Sequence, residues 1–471
     1  MALHILDSVI YGKDFASPQI RKIFEEESIV QNWIDFEVAL AEVQSELGFI
    51  PQEVAQEIRA KGNLKHVKLE RIAEIYSQTM LSSVSLIRAF KEVCTNGAGE
   101  YIHYGATSQD LFDTSLAYRL KKTMDVFQQD LKEIQSSLNH LSDKYRHTIM
   151  PGITHGQQAL PITFGYNTAI WSDMVRKHID RFQEARERIL VGTVSGAVGN
   201  FSSFHFLFGE KCYEMQERVL DRFGLKAPKI SIQPQIERLS EFLQLLALVS
   251  VTFEKIADEL FLYQRNEFAQ TEEPFDVERQ ISSSTMPQKR NPNRCEMIRA
   301  LAKKIRSNSN GFSEIYMREL RDHSPFYLED FVIPESILLT STMLNQAKFI
   351  FKGLVVKPES MERNLKISGG LIMTETIMLA MSKKTGKKET GFSLVHANAM
   401  EAFEKGIPFD KFIETSPEFQ KYFTKTEIQG LLDPKNYLGL TDRLINDVIG
   451  KNEKKGVRIK NDILLPQENE V

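Results

Sequence analysis

The chain has 471 residues, 42% hydrophobic and 26% charged, with a formal net charge of -4. That balance fits a globular chain of about two to four domains with ample core. It lacks the basic excess of a nucleic-acid binder and any run of roughly 18 uninterrupted apolar residues that would span a membrane.

The start, Met1 to Asp7, has no basic stretch followed by an apolar run, so no secretion signal is read and a cytoplasmic location is expected. Ser17-Pro18 opens a helical stretch, with Pro in the first turn. Ile29, Trp33, Phe36, Leu40 and Val43 then recur at three- and four-residue spacing and make one apolar face. Gly48 breaks it, Pro51 starts another short helix, and Ile72, Ile75 and Leu81 continue the helical pattern. Cys94, Cys212 and Cys295 are odd in number and far apart, as free thiols of a reducing compartment are.

Next comes Tyr101-Ile102-His103-Tyr104-Gly105-Ala106-Thr107-Ser108-Gln109-Asp110. A very long helical pattern follows, from Leu111 to His147, without Pro or Gly. By spacing alone Thr107 and Ser108 read as helix caps, at a place whose free N–H groups also favour an anion. His155 sits in a loop between helical patterns, in Thr154-His155-Gly156-Gln157-Gln158-Ala159-Leu160-Pro161. A lone His is more often structural than catalytic.

Long helical patterns resume at Phe164–Leu190, at Leu239–Phe268, near Arg294 and from about Tyr327 to Phe351. The second of these is apolar on most faces, which places it inside a bundle or at an oligomer interface. Pro334 sits early in the last, where a kink or restart is expected. The expected fold is all-α. An N-terminal helical domain spans 1–105, a central long-helix bundle 106–356 and a helical C-terminal domain 357–450, before a polar tail at 451–471.

Between two of the long helices lies Ser282-Ser283-Ser284-Thr285-Met286-Pro287-Gln288-Lys289-Arg290-Asn291-Pro292. No amphipathic period fits it, so it is a loop. Lys289 supplies a positive charge and Asn291 a donor, both suited to a carboxylate or oxyanion. From composition alone a polar surface loop explains it equally well.

Ser283 to Pro292 resembles the signature loop of the fumarase/aspartase superfamily, Gly-Ser-Ser-x-Met-Pro-x-Lys-x-Asn-Pro, at every fixed position after the Gly, where this chain has Ser282. Thr107, Ser108 and Asp110 resemble its first region, Gly-x-Thr-Ser-x-Asp. Thr154, His155, Gln157, Ala159 and Pro161 resemble its second, with Ile153 in place of the usual Arg.

The resemblance implies a homotetramer with a twenty-helix core and sites shared between subunits. The substrate would be a small dicarboxylate. No metal cluster, glycine-rich phosphate loop or cofactor motif stands out in the sequence, so no cofactor and no metal are expected. The resemblance assigns the base to Ser283, the general acid to His155 and that residue's carboxylate partner to Glu296. Lys289 would stabilise the alkoxide and, with Asn291, hold the carboxylate on which charge builds. Thr107, Ser108, Thr154, Gln235, Met286, Arg321, Ser324 and His103 complete the implied substrate contacts.

Two branches compete. Adenylosuccinate lyases carry a His at the place of His103 and a motif that Arg321, Asp322, Ser324 and Glu329 match. Their phosphate-gripping Arg residues, however, become Asp14 and Asp330. Each swap removes a charge-assisted contact and adds repulsion, so an AMP moiety is not expected. Carboxymuconate cycloisomerases resemble the chain at Gly105–Asp110, Asp113-Thr114, Gln235 and Glu237-Arg238-Leu239, but their bacterial members usually lack the His of the second region. The expected reaction is fumarate release from a non-nucleotide succinyl compound by C–N cleavage. The alternatives are cycloisomerisation, adenylosuccinate lyase proper and a non-catalytic structural member.

Overall fold

The computed structural model of the chain describes residues 5–319 and 321–451; the expected polar tail beyond residue 451 lies outside them. About 69% of the described residues are helical and strands are few among them, which fits the all-α expectation. Two compact units form. One holds the chain up to Lys132, Lys177–Glu254 and Met297–Ala347; the other holds Glu133–Arg176, Lys255–Glu296 and the chain from Lys348 on. The helices Ser108–Lys144, Phe164–Ile189, Glu237–Gln264, Asn293–Ser313 and Ser324–Gly353 contribute residues to both.

In the first unit, Leu116, Leu120, Met124, Phe127 and Leu131 of the helix Ser108–Lys144 are almost wholly buried. Their three- and four-residue spacing puts them on one face. The helix is 37 residues long, or about 55 Å at the ordinary rise. The helix expected to continue through Leu81 is instead two. Met80 caps Leu69–Thr79 in the left-handed region, and Ser82–Val93 starts anew.

Ser17 caps Pro18–Phe24, its hydroxyl oxygen accepting the Ile20 N–H at 3.3 Å. The Ala16 and Ser17 N–H groups donate to the Thr342 and Ser341 hydroxyls at 2.8 and 2.9 Å. Those hydroxyls lie on Ser324–Gly353, which runs on through Pro334 rather than restarting there. Proline removes one helical hydrogen bond, but the buried Ile333 and Ile337 hold the segment on either side.

The second unit contains a hairpin where the sequence read only a loop. Strands β1 (Ile149–Thr154) and β2 (Gln157–Thr163) pair antiparallel, with Thr154 opposite Gln157 and His155-Gly156 as the turn. Prolines argue against strands. Here Pro151 and Pro161 oppose each other, and a register shift follows between Pro151 and Ile153. His155 and Gly156 have φ of 50° and 78°, the two positive values that a two-residue hairpin turn needs.

Strands β3 (Thr271–Glu272) and β4 (Val355–Val356) form a second short pair. Towards the C-terminus, Ile377, Met381, Val395, Phe409, Phe419 and Ile428 make a separate helical core. Gly369 and Gly370, both with positive φ, separate the short helical turns on either side of them.

Candidate active site

In the second unit, the signature loop runs from β3 to the helix Asn293–Ser313, and its two ends are tied together. The Ser282 hydroxyl donates to the Lys289 carbonyl and accepts the Asn291 N–H at 3.1 Å. The Asn291 side-chain amide donates to the Ser282 carbonyl at 2.7 Å. Inside this ring the Ser283 hydroxyl oxygen accepts the N–H groups of Met286 at 3.0 Å and Thr285 at 3.3 Å. Two N–H groups directed at one oxygen favour its negatively charged form.

The loop borders a cleft of about 730 Å³, to which Met286, Lys289 and Asn291 contribute alongside Gln264, Arg265 and Glu272. Gln264 anchors the cleft wall. Its side-chain oxygen accepts the Glu273 N–H at 2.8 Å and its amide donates to the Arg290 carbonyl at 3.0 Å. The buried Glu273 carboxylate accepts the Arg294 and Cys295 N–H groups at 3.2 and 2.7 Å. It thereby caps the helix that follows the loop, at the end where the helix dipole favours negative charge.

Glu296 lies exposed in the first turn of that helix, its N–H bonded to the Pro292 carbonyl at 3.0 Å. Thr154 and His155 are exposed at the hairpin tip. Ile153, where the superfamily usually has Arg, is 53% exposed.

In the first unit, the candidates converge on a carboxylate that the sequence reading did not single out as a hub. The fully buried Asp110 accepts the N–H groups of Thr107 (3.1 Å), Ser195 (2.8 Å) and Gly196 (3.0 Å). It therefore joins the start of the helix Ser108–Lys144 to the segment after Thr193. Gly196 and Gly199 there have φ of 80° and 74°. The Ser203 hydroxyl, bonded to the Gly105 carbonyl, stands 2.8 Å from where a Cβ of residue 196 would be.

Gln233 carries the chain of contacts onward. Its amide donates to the Gly196 carbonyl at 2.9 Å, and its oxygen accepts Arg321 Nε at 3.1 Å. Arg321 also donates to the carbonyls of Val198 and Glu319 at 3.1 and 2.7 Å. Gln235 is engaged locally, donating to the Ser231 carbonyl at 2.9 Å. Ser324 is exposed at the start of its helix, its N–H bonded to Asp322 at 3.2 Å. The visible sequence signal for this network was the Gly196-Ala197-Val198-Gly199 stretch between helical patterns, with Gln233 two residues before Gln235.

The Ser108 and Ser83 hydroxyls share a 2.6 Å hydrogen bond. His103 Nδ1 lies 2.7 Å from a Glu37 carboxylate oxygen. Burial opposes the charged imidazole, but Glu37 and the more distant Asp110 outweigh it and raise the His103 pKa. Deeper in, Arg238 pairs with Asp113 at 3.1 Å, both buried. The half-buried Glu329 carboxyl is pushed up to about 8, by burial first and then by Asp113 and Asp330, against Arg238 and Arg119.

Comparison with known proteins finds relatives over most of the chain. The family described as "Lyase" matches residues 13–307, and "Adenylosuccinate lyase C-terminus" matches 370–448. An adenylosuccinate lyase of Methanocaldococcus jannaschii is 39% identical over 96% of this chain and 97% of its own length. An N-acetyl-S-(2-succino)cysteine lyase of Dickeya dadantii is 35% identical over 95% of this chain and 98% of its own. The crystal structure of a fumarate lyase from Mesorhizobium sp. BNC1 has a TM-score of 0.84 and 30% identity, covering 93% of this chain and 98% of that one. The chain belongs to the fumarase/aspartase superfamily, in its adenylosuccinate lyase branch, and is a lyase that releases fumarate by β-elimination.

Proposed function

We propose that the substrate is a small, non-nucleotide succinyl compound carrying an amine on the carbon beside one carboxylate. The observation that carries the proposed chemistry is the Ser283 hydroxyl, which accepts two N–H groups within the loop whose Met286, Lys289 and Asn291 line the cleft. Ser283 as alkoxide takes the C–H proton beside the second carboxylate. The electron pair enters that carboxylate as an aci-carboxylate, held by Lys289 and Asn291, and then forms the double bond of fumarate as the C–N bond breaks.

His155 protonates the departing nitrogen, with Glu296 fixing its tautomer. Thr107, Ser108 and Thr154 bind carboxylate oxygens, while Met286, Gln235, His103, Arg321 and Ser324 shape the remainder of the site. Asp14 and Asp330 disfavour a phosphate at the distal end, by charge repulsion.

The exposed positions of His155 and Glu296 in a single chain support a homotetramer that completes the site from several copies. Leu248 and Val251, which stand half-exposed on Glu237–Gln264, support it too. A fully active monomer in light scattering would sink this part of the reading. A cytoplasmic location fits the three free cysteines.

A second reading keeps the same residues and replaces nitrogen by sulfur, on the strength of the similarity to the succinocysteine lyase. The test is fumarate release, followed by ultraviolet absorbance, from N-substituted aspartates, S-succinyl thiols and adenylosuccinate, with carboxymuconate followed separately. Fumarate from N-substituted aspartates supports the first reading and fumarate from S-succinyl thiols the second. Efficient turnover of adenylosuccinate, or loss of carboxymuconate without fumarate, overturns both.

A further inference from the structure

The superfamily's signature loop begins with Gly, and this chain has Ser282. A glycine supplies freedom and no side chain; the serine here supplies two hydrogen bonds across the neck of the loop. Its hydroxyl donates to the Lys289 carbonyl and accepts the Asn291 N–H, while its carbonyl accepts the Asn291 side-chain amide. Six residues, Ser283 to Gln288, therefore hang from a neck closed at both strands of the chain.

The contacts fix the two residues at the far side of the neck in different ways. Asn291 is held by backbone and side chain together. One of its amide hydrogens is committed to Ser282, leaving the other, and the carbonyl oxygen, for a ligand. Lys289 is held through its backbone alone, its N–H donating to the Met286 carbonyl at 3.1 Å and its carbonyl accepting the Ser282 hydroxyl, so its long side chain keeps its reach. Among the described residues, the Asn291 N–H and side-chain amide make the hydrogen bonds that bridge Ser282 to Asn291. Beyond the loop, Gln264 holds the Arg290 carbonyl between these two anchors, and Arg290 also pairs with Glu272 at 3.3 Å.

We propose that Ser282 is a positioning residue that closes the neck of the signature loop and sets Asn291 and Lys289 for the substrate carboxylate. It touches no reacting atom; it acts through those two residues, and so rests on the roles proposed for them above. A chain with Gly at this position would keep only the contact from the Asn291 amide to the backbone carbonyl and lose the two made by the hydroxyl. Here the loop is ordered before substrate arrives, which lowers the ordering cost of binding.

Two measurements separate the clamp from the chemistry. Limited trypsin digestion of the full chain reads the neck directly, because Lys289 and Arg290 are exposed cleavage sites inside it. Ser282→Ala and Ser282→Gly are expected to be cut there about five- to tenfold faster, as loss of a hydrogen-bonded closure implies. Ser282→Thr keeps the hydroxyl and is expected to stay within about twofold of the original.

Kinetics then read the link to function. Ser282→Ala is expected to raise KM about five- to tenfold with a smaller change in kcat, and Ser282→Thr to restore it. In an Asn291→Ala background the added effect of Ser282→Ala is expected to shrink below about twofold, since coupled residues are non-additive. Unchanged digestion and KM in Ser282→Ala overturns the proposal, as does a fully additive double variant. Full activity in Asn291→Ala alone instead overturns the carboxylate-holding role on which the proposal rests, whatever digestion shows.

Discussion

The Asp110 carboxylate accepts the Gly196 backbone N–H at 3.0 Å, and the same side chain takes the N–H groups of Ser195 and Thr107. One buried anion thus holds the start of a long helix against a glycine-rich segment far along the chain. Asp110→Asn removes the charge and turns an amide donor towards N–H groups that need an acceptor. The expected loss of stability is on the order of 2–3 kcal/mol, with slower fumarate release. Urea midpoints and steady-state rates check it, and an unchanged midpoint would deny Asp110 its hub role.

Ser283→Ala is expected to lower kcat by about 10²–10⁴-fold, the usual worth of a positioned base, with substrate binding retained. The loop is exposed to water, so the N–H groups of Thr285 and Met286 find other partners and the fold is untouched. Calorimetry and turnover on the same sample give the answer; near-normal kcat removes Ser283 as the base.

His155→Asn separates leaving groups by their chemistry. An amine must be protonated as it departs, whereas a thiol ionises near pH 8.5 and departs readily as thiolate. N-linked substrates are expected to slow by about 10²–10⁴-fold and S-linked ones by clearly less. Equal losses on both would argue against His155 as the acid.

Glu329 gives a pH signature. Its carboxyl rises from the ordinary 4.5 to about 8 in the folded chain, so the folded state holds the proton more tightly. Its contribution to stability is complete below 4.5 and is lost as pH rises through about 8. Glu329→Gln fixes the neutral form. The urea midpoint of the original chain is therefore expected to fall, relative to the variant, across that window; parallel pH profiles would show that Glu329 does not titrate there.

The helices were readable in the sequence because Leu116, Leu120, Met124 and Phe127 repeat with the period of the element they build. The signature loop was readable because Ser, Pro, Lys and Asn crowd into a stretch with no such period. The hairpin under His155 was not. Pro151 and Pro161 read as breaks, and only their cross-strand pairing makes them compatible with strands. The Asp110 hub was equally hidden. Its partner Ser195 lies 85 residues away, and the contact uses backbone N–H groups that every residue type except proline carries. Ser282 stands out in the sequence only as a departure from the motif; that its hydroxyl bridges to Lys289 and Asn291 is visible only in the folded loop.

His155 holds a φ of 50° at the tip of its hairpin, beside Gly156 at 78°. A side chain with a Cβ is strained there by about 1–2 kcal/mol, which Gly escapes and Asn feels least. The turn and the proposed acid therefore ask for different residues at one position. His155→Gly is expected to leave the chain more heat-resistant while removing activity, a trade that thermal melts and turnover would expose together. In a duplicated gene released from catalysis, this codon is where drift towards Gly or Asn would meet no structural resistance.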